Sequence, residues 1–255
     1  MDQPLFDSAD ELNARPELFR DPNRTEEENR GPFVVVHDGF YGDAQAVRAL
    51  ALEQEFYQYG PPTADQVGPE KAARYAGQRP RWMASALLRR GGLVVADPKP
   101  GFRYAPPEVR DRIAEILGER PNEETWDEMG DWWNGAFHVQ YGGDAGRPSS
   151  IHHHYKEGDV TPRGWSGLVY LSPDAAPEHG TTIWRNKATG LCVATAAGHS
   201  SSHSYDDFEL ALVVENRFNR LVLFREHVLH RAETGFGSTI HDGRMSQTFF
   251  FQSER

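Results

Sequence analysis

The chain has 255 residues with a formal net charge of −11, and 38% of them are hydrophobic. This length and composition suit a globular protein with a sizeable core and exclude a disordered chain. No apolar run approaches the ~20 residues of a membrane span, and the negative charge disfavours general nucleic-acid binding because phosphates would be repelled. The single cysteine, Cys192, excludes an internal disulfide, and the first residues lack the layout of a secretion signal. We therefore expect a cytoplasmic protein that binds neither membranes nor nucleic acids.

The N-terminal half predicts an arm, one strand and two helices. Residues 1–31 are polar and rich in charge, and we expect them to form a flexible arm. The stretch FVVVHDGF (33–40) predicts a strand, and GDAQAVRALALEQEF (42–56) predicts a helix because its apolar residues recur with helical spacing. A second helix is predicted for PPEVRDRIAEILG (106–118), where the early proline suits a first turn. The stretch 57–81 predicts a long loop rich in Gly, Pro and Arg, and loops of that length are often functional.

From about residue 135 the sequence changes to short β-rich runs separated by turns. Spacing of this kind predicts a sandwich or a barrel. We therefore predict a mainly β protein with flanking helices, organised as one domain over 32–255. Residues 32–134 would supply helices and loops, and 135–255 would form the β core. The runs are AFHVQY, SIHHHY, SGLVYL, GTTIW, LVLF and SQTFFFQ.

Three consecutive histidines stand in SSIHHHYKEGDV (149–160). Side chains alternate along a strand, so His152 and His154 would point the same way and His153 the opposite way. Such an H-x-H pair can supply two ligands to one divalent metal ion, and imidazole suits iron, zinc, copper and nickel. A third ligand must come from elsewhere, and His230 in NRLVLFREHVLHRAETGFG is the best candidate, with His227 as its rival.

The order of these residues resembles that of the iron(II)/2-oxoglutarate-dependent oxygenases, which are built on a double-stranded β-helix with a jelly-roll, cupin-like core. Their order is an H-x-acid motif, a distal histidine and then Arg-x-Ser, as in RMS within HDGRMSQTFFF here. VQYGGDAGRPSSIH resembles the Tyr-x-x-Gly run before the first ligand of prolyl-hydroxylase-like members, and SGLVYLSPDAAPEHGTTIW resembles a later segment of theirs. FVVVHDGFYGDAQAVRALAL and NRFNRLVLFR are similar to a bacterial branch of the superfamily. The resemblance covers roughly residues 33–252.

This resemblance implies a role for each matched residue. His152 would be the first metal ligand and His230 the distal one. Arg244 would hold the far carboxylate of 2-oxoglutarate by a bidentate, charge-assisted contact, and Ser246 would hydrogen-bond the same carboxylate. Apart from the resemblance, Tyr141 lies near the metal segment in sequence, where it would either contact 2-oxoglutarate or belong to the core. The cofactor would be Fe(II), with 2-oxoglutarate and O2 as co-substrates.

The chain departs from the family at the carboxylate position, which His154 occupies. The metal set then becomes three histidines instead of two histidines and one carboxylate, and the site carries one more positive charge. We expect this charge to stabilise the ferrous form. Glu157 or Asp159 would take the third position if the local strand bulges. Halogenase members lack the third side chain and leave room for halide, so a halogenase is not expected where His154 fills that room.

Three functions fit the sequence. The first is a hydroxylase that acts on a small molecule, such as an amino acid or a biosynthetic intermediate. The second is a cupin-type three-His metal dioxygenase that does not use 2-oxoglutarate, because the spacing from Gly146 to Gly164 nearly matches a cupin motif. The third is a non-catalytic metal-binding barrel. The Arg-x-Ser run at 244–246 favours the first over the second. For each of these functions, His138 and Gln140 share a strand face, and either side chain could line the cavity.

Overall fold

The structure is a computed structural model, and it describes residues 3–21, 25–26, 29–58, 82–85, 102–128, 134–142, 150–154, 164–195 and 205–254. The helices of this part of the chain are α1 (Ala9–Asn13), α2 (Ala44–Leu52), α3 (Pro107–Leu117) and α4 (Glu123–Glu128). The strands are β1 (Val34–Asp38), β2 (Tyr57–Gln58), β3 (Trp82–Ala84), β4 (Phe137–Gln140), β5 (Gly164–Tyr170), β6 (Thr181–Asn186), β7 (Phe208–Val214), β8 (Arg220–Arg225), β9 (His230–Ala232) and β10 (Arg244–Gln252).

Two antiparallel sheets form the core. The larger has the strand order β1-β8-β5-β10-β4-β3-β2 and the smaller β7-β6-β9. A bridge between His152 and His230 places a further extended segment beside β9. From β4 onward the chain changes sheet at every connection except that from β6 to β7. Eight extended segments connected in this way form a jelly roll, so the predicted double-stranded β-helix, mainly β with flanking helices, is confirmed.

The two sheets face each other, and side chains from both meet between them. The Tyr170 hydroxyl in the larger sheet donates to Thr181 Oγ1 in the smaller one at 2.8 Å. The ring of Phe224, from β8, lies 4.1 Å from the ring of His230, from β9. We call the side of each sheet that faces the other its inner face. Residues of the two inner faces can therefore act on one bound molecule.

The outer face of the larger sheet is covered by α2 and α3. Val47 of α2 and Ile113 of α3 belong to the same buried cluster as Met245 and Phe249 of β10. Because side chains alternate along a strand, Arg244, Ser246 and Thr248 face inward. The helices thus cover the outward-facing side chains of β10, and its inward-facing side chains border the space between the two sheets.

Both predicted helices are present, with ends set by local chemistry. The Asp43 carboxylate accepts from the Ala46 backbone N–H at 2.9 Å and caps α2, which ends at Leu52 instead of continuing to residue 56. Helix α3 ends at Leu117 and is capped by Gly118, whose φ of +67° suits a residue without a Cβ. No helix in the described part of the chain is long and apolar enough to cross a bilayer. Most of the predicted loop 57–81 lies outside the described residues.

The described residues of the N-terminal stretch differ from the expected flexible arm. Helix α1 is capped by Ser8, and both Leu12 and Phe19 are 0% exposed. The Phe19 ring stacks on Phe33 with centroids 4.1 Å apart, and the Asn13 side chain donates to the Val34 carbonyl at 2.6 Å. Burial of a large apolar side chain contributes about 1.5–3 kcal/mol, so these few apolar residues fix a stretch that is otherwise polar. A domain boundary near residue 32 stays a prediction.

Candidate metal centre

Two neighbouring extended segments hold the three histidines. His152 and His230 are paired across the bridge, where each backbone N–H donates to the carbonyl of the other at 3.0 and 2.9 Å. His154 follows two residues later, and its N–H donates to the Glu226 carbonyl at 2.7 Å. The backbone pairing therefore fixes which side chains meet, and it brings the predicted H-x-H pair beside the predicted distal histidine.

The side chains of these three histidines converge on one point. Their potential ligand atoms all lie within 4.8 Å of one another, and Nε2 of His230 lies 3.1 Å from Nε2 of His154. Two ligands bound at about 2.0–2.1 Å to one ion stand roughly 2.8–3.4 Å apart for bond angles of about 90–110°. The observed separation fits two ligands of one metal, and it also fits a hydrogen bond between the rings before an ion enters.

Backbone carbonyls set the tautomer of two of the rings. Nδ1 of His152 lies 2.8 Å from the Ser150 carbonyl, and Nδ1 of His230 lies 2.9 Å from the Val228 carbonyl. A carbonyl can only accept, so each Nδ1 carries the proton and each Nε2 presents a lone pair. Hydrogen bonds of this kind orient metal-binding histidines in proteins.

Burial keeps the deepest histidine neutral. The pKa of His230 lies well below its ordinary value, first because burial penalises the charged ring and then because His152 and His154 lie close by. A metal ligand must be a neutral imidazole, so His230 needs no deprotonation before it binds an ion near pH 7. Three neutral nitrogen donors suit iron, zinc, copper or nickel.

Two aromatic rings of the larger sheet enclose the histidines. Phe224 lies 4.1 Å from His230, and Phe250 lies edge-on to His154 at 5.2 Å between centroids. Phe250 belongs to the inner face of β10, which also carries Arg244 and Ser246. The histidine cluster and the two residues predicted to hold 2-oxoglutarate therefore border the same interior.

Arg244 is a buried guanidinium with neutral hydrogen-bond partners. Its side chain is 2% exposed and donates to the His179 carbonyl at 2.6 Å, to the Gly180 carbonyl at 3.0 Å and to the Gln140 side-chain oxygen. Among the described residues no carboxylate forms an ion pair with it. Burial lowers the pKa of Arg244, yet an arginine stays charged in proteins. The interior thus contains a positive charge that no described side chain neutralises.

The spacing between Arg244 and the histidines is that of a short linear ligand. Arg244 bonds to Gly180, directly before β6, whereas His230 pairs with Ile183 of that strand. Three residues of strand span about 10 Å. A dicarboxylate held by an ion at one end and by a guanidinium at the other fits a distance of this order.

The inner wall next to Arg244 is polar. Ser246 is buried and stands opposite Tyr170 on one neighbouring strand and His138 on the other. The His138 Nε2 atom lies 3.0 Å from Thr248 Oγ1, and burial lowers the pKa of His138 to about 3. The face predicted for His138 and Gln140 is therefore part of this wall.

Tyr141 is not on the inner wall, which corrects the expectation that it contacts 2-oxoglutarate. It packs against the outer cluster that contains Val139, and its hydroxyl donates to the sulfur of Met83 at 3.2 Å. Tyr170 does lie inside, and its ring centroid is 5.5 Å from the Arg244 guanidinium carbon. Proximity to the metal segment in sequence suggested Tyr141. Alternation along β5 shows which residues share a face with Tyr170, but it does not show which face is the inner one.

The competing ligands have separate positions. His227 is completely buried, lies edge-on to Phe33 at 6.5 Å and is not part of the histidine cluster. His153 is also outside the cluster, as strand alternation predicts. Glu157 and Asp159, the alternative third ligands, lie outside the described residues.

Comparison with known proteins gives distant structural likenesses. No protein-family model and no curated protein matches the chain. The similar solved structures include the non-haem α-ketoglutarate-dependent epimerase SnoN of nogalamycin biosynthesis, with 12% identity over 96% of this chain and 80% of that one and a TM-score of 0.44. A prolyl-4-hydroxylase of Pseudomonas putida has 16% identity over 87% of this chain and 92% of its own, with a TM-score of 0.40. An oxidoreductase of the 2OG-Fe(II) oxygenase family from Burkholderia pseudomallei has 8% identity over 98% of this chain and 93% of its own, with a TM-score of 0.44. Likenesses this distant say nothing about the reaction of the present chain.

Proposed function

We propose that this protein is a non-haem iron(II)/2-oxoglutarate-dependent oxygenase that hydroxylates a small molecule. Its metal ligands would be His152, His154 and His230. The observation that carries the proposal is the pairing of two features inside one jelly roll. One is a cluster of three nitrogen donors, and the other is Arg244, whose charge has only neutral partners among the described residues.

The charge of Arg244 favours an anionic co-substrate. A buried charge is costly unless an opposite charge or several hydrogen bonds compensate for it. A guanidinium has five N–H donors, and the contacts to His179, Gly180 and Gln140 use three of them. The Tyr170 side chain also hydrogen-bonds to the guanidinium, which leaves one donor for a carboxylate, and the hydroxyl of Ser246 lies two residues along the same face for a further hydrogen bond.

Each part of the site has a task in this proposal. Iron(II) with 2-oxoglutarate and O2 supplies the oxidation of an unactivated C–H bond. The three histidines hold the ion from one side, and Arg244 fixes the co-substrate by its far carboxylate. Phe224 and Phe250 exclude water beside the ligands, which strengthens every electrostatic interaction there.

The cupin-type dioxygenase shares the three histidines but has no use for Arg244. Such an enzyme binds its substrate directly at the metal and needs no second anchor for a dicarboxylate. Because His154 occupies the third ligand position, the proposal does not include halogenation. The non-catalytic alternative predicts metal binding without turnover of 2-oxoglutarate. A cytoplasmic location stays a prediction.

The test is anaerobic addition of iron(II) and then 2-oxoglutarate to the purified protein. The proposal predicts a weak visible charge-transfer band of the chelate, which His230→Ala should abolish. Admission of O2 together with candidate amino acids should then release succinate. A protein that binds iron but gives no band and no succinate would leave the cupin-type and the non-catalytic functions instead.

A further inference from the structure

We propose that His179 is a positioning residue whose ring fixes the two backbone carbonyls that orient the Arg244 guanidinium. Through Arg244, the ring would set how tightly the site binds the far carboxylate of 2-oxoglutarate. This inference rests on the proposed function, because it concerns the co-substrate of that function. His179 comes two residues before β6 and would act without touching the co-substrate itself.

Two consecutive carbonyls hold one edge of the Arg244 guanidinium. Its Nε donates to the His179 carbonyl at 2.6 Å, and its Nη2 donates to the Gly180 carbonyl at 3.0 Å. A guanidinium is planar and its N–H groups have fixed directions, so this pair of hydrogen bonds determines both its position and its plane. The donor that remains for a carboxylate therefore points in a direction that these two carbonyls decide.

The side chain of His179 ties these carbonyls to the segment that follows β9. Its Nδ1 lies 2.7 Å from the Thr234 carbonyl, and a carbonyl can only accept, so Nδ1 carries the proton and donates. The half-buried ring also packs against Phe236, with centroids 4.9 Å apart. The ring and the carbonyl belong to the same residue, so a fixed ring restricts rotation of the backbone that presents the carbonyl to Arg244.

The next residue, Gly180, has no side chain that could fix the second carbonyl. A Cβ added there would lie 1.9 Å from the Val214 carbonyl oxygen, so the position requires glycine. Backbone contacts are the rival restraint, because the Asn216 side chain donates to the His179 carbonyl and the Glu233 N–H donates to the Gly180 carbonyl, both at 3.1 Å. If these two hydrogen bonds suffice, the ring of His179 only stabilises the fold.

The experiment compares two ligands on the protein loaded with cobalt(II), which binds them without turnover. One is 2-oxoglutarate, and the other is 2-oxopentanoate, which has the same 2-oxo acid end but a methyl group in place of the far carboxylate. The readout is the ratio of the two affinities from calorimetry, because it reports on the far carboxylate alone. We expect His179→Leu to reduce this ratio about 3- to 10-fold. His179→Asn, whose amide N–H can reach the Thr234 carbonyl, should keep the ratio within about twofold of the parent.

The matched control is His37→Leu, which removes another half-buried histidine, one whose Nε2 lies 3.1 Å from an Arg112 nitrogen. This control should keep the parent ratio. Cobalt(II) affinity is measured first, and where His179→Leu does not bind the ion, His179→Ala takes its place in the same comparison. An unchanged ratio, equal weakening of both ligands, or the same loss of ratio in His179→Asn would each overturn the inference. A parent protein that does not distinguish the two ligands contradicts the proposed function, whereas a parent that does, with an unchanged ratio in His179→Leu, contradicts the present inference alone.

Discussion

Replacement of Arg244 by methionine is the sharpest test of how this interior binds its co-substrate. The guanidinium keeps one N–H donor beyond those used by protein oxygens, and a hydrogen bond to a charged group contributes about 1.5–3 kcal/mol. Loss of this bond removes about 1.5–3 kcal/mol, which corresponds to a decrease in 2-oxoglutarate affinity of roughly 10- to 150-fold.

The fold should tolerate this substitution. The Gly180 carbonyl also accepts from the Glu233 backbone N–H at 3.1 Å, and the His179 carbonyl accepts from the Asn216 side chain at 3.1 Å. Neither carbonyl loses its last hydrogen bond, and the half-buried Gln140 side chain, which loses its bond to Arg244, can bond to water. The variant should therefore unfold at a denaturant concentration close to that of its parent.

A buried arginine on the other side of the sheet provides the matched control. Arg48 is 9% exposed, against 2% for Arg244, and like Arg244 it donates to two backbone carbonyls, those of Leu171 and His241 at 2.8 and 2.5 Å. It extends from α2, outside the barrel. Calorimetry on the metal-loaded proteins should show normal 2-oxoglutarate binding in Arg48→Met and this weaker binding in Arg244→Met. The reasoning is refuted if Arg244→Met binds 2-oxoglutarate within about threefold of the parent.

Three further predictions test the metal set, the interior and the N-terminal stretch. His230→Ala should weaken cobalt(II) binding about 100-fold or more, whereas His227→Asn should change it only a few-fold, and the opposite ranking would exchange their roles. The pKa of His138 is lowered to about 3 in the folded protein. Between pH 6.5 and 3 the unfolded chain therefore binds more protons at this residue than the folded protein does, and the free energy of unfolding falls as pH decreases through that window. Denaturation of the metal-free protein at pH 7 and 5 should show that His138→Gln reduces this loss by up to about 2 kcal/mol, and an unchanged pH dependence would contradict the assignment. Leu12→Ala should lower the free energy of unfolding by about 2–5 kcal/mol, and a loss below about 0.5 kcal/mol would mean that the N-terminal stretch is the flexible arm expected from its composition.

Local patterns in the sequence predicted the parts of the site that depend on strand alternation. His152 and His154 stand two residues apart, as do Arg244 and Ser246, and a period of two places each pair on one face of a strand. The convergence of His230 followed from motif order and resemblance, because no local pattern links it to residues more than seventy positions earlier. The β-rich second half similarly indicated a sandwich or barrel before any pairing was known.

The tertiary structure decided what surrounds these residues. Tyr141 and Tyr170 are equally plausible in sequence, and only the covering of one sheet face by helices assigns Tyr170 to the interior. Leu12 lies in a polar stretch, and its burial depends on a surface that exists only after β1 and the smaller sheet have formed. Strand alternation is a property of the local backbone, so the sequence alone determined which side chains share a face. Which face becomes the interior depends on contacts between distant segments, and so does the choice of partner for a charge inside it. Only the packing of the two sheets determines those contacts.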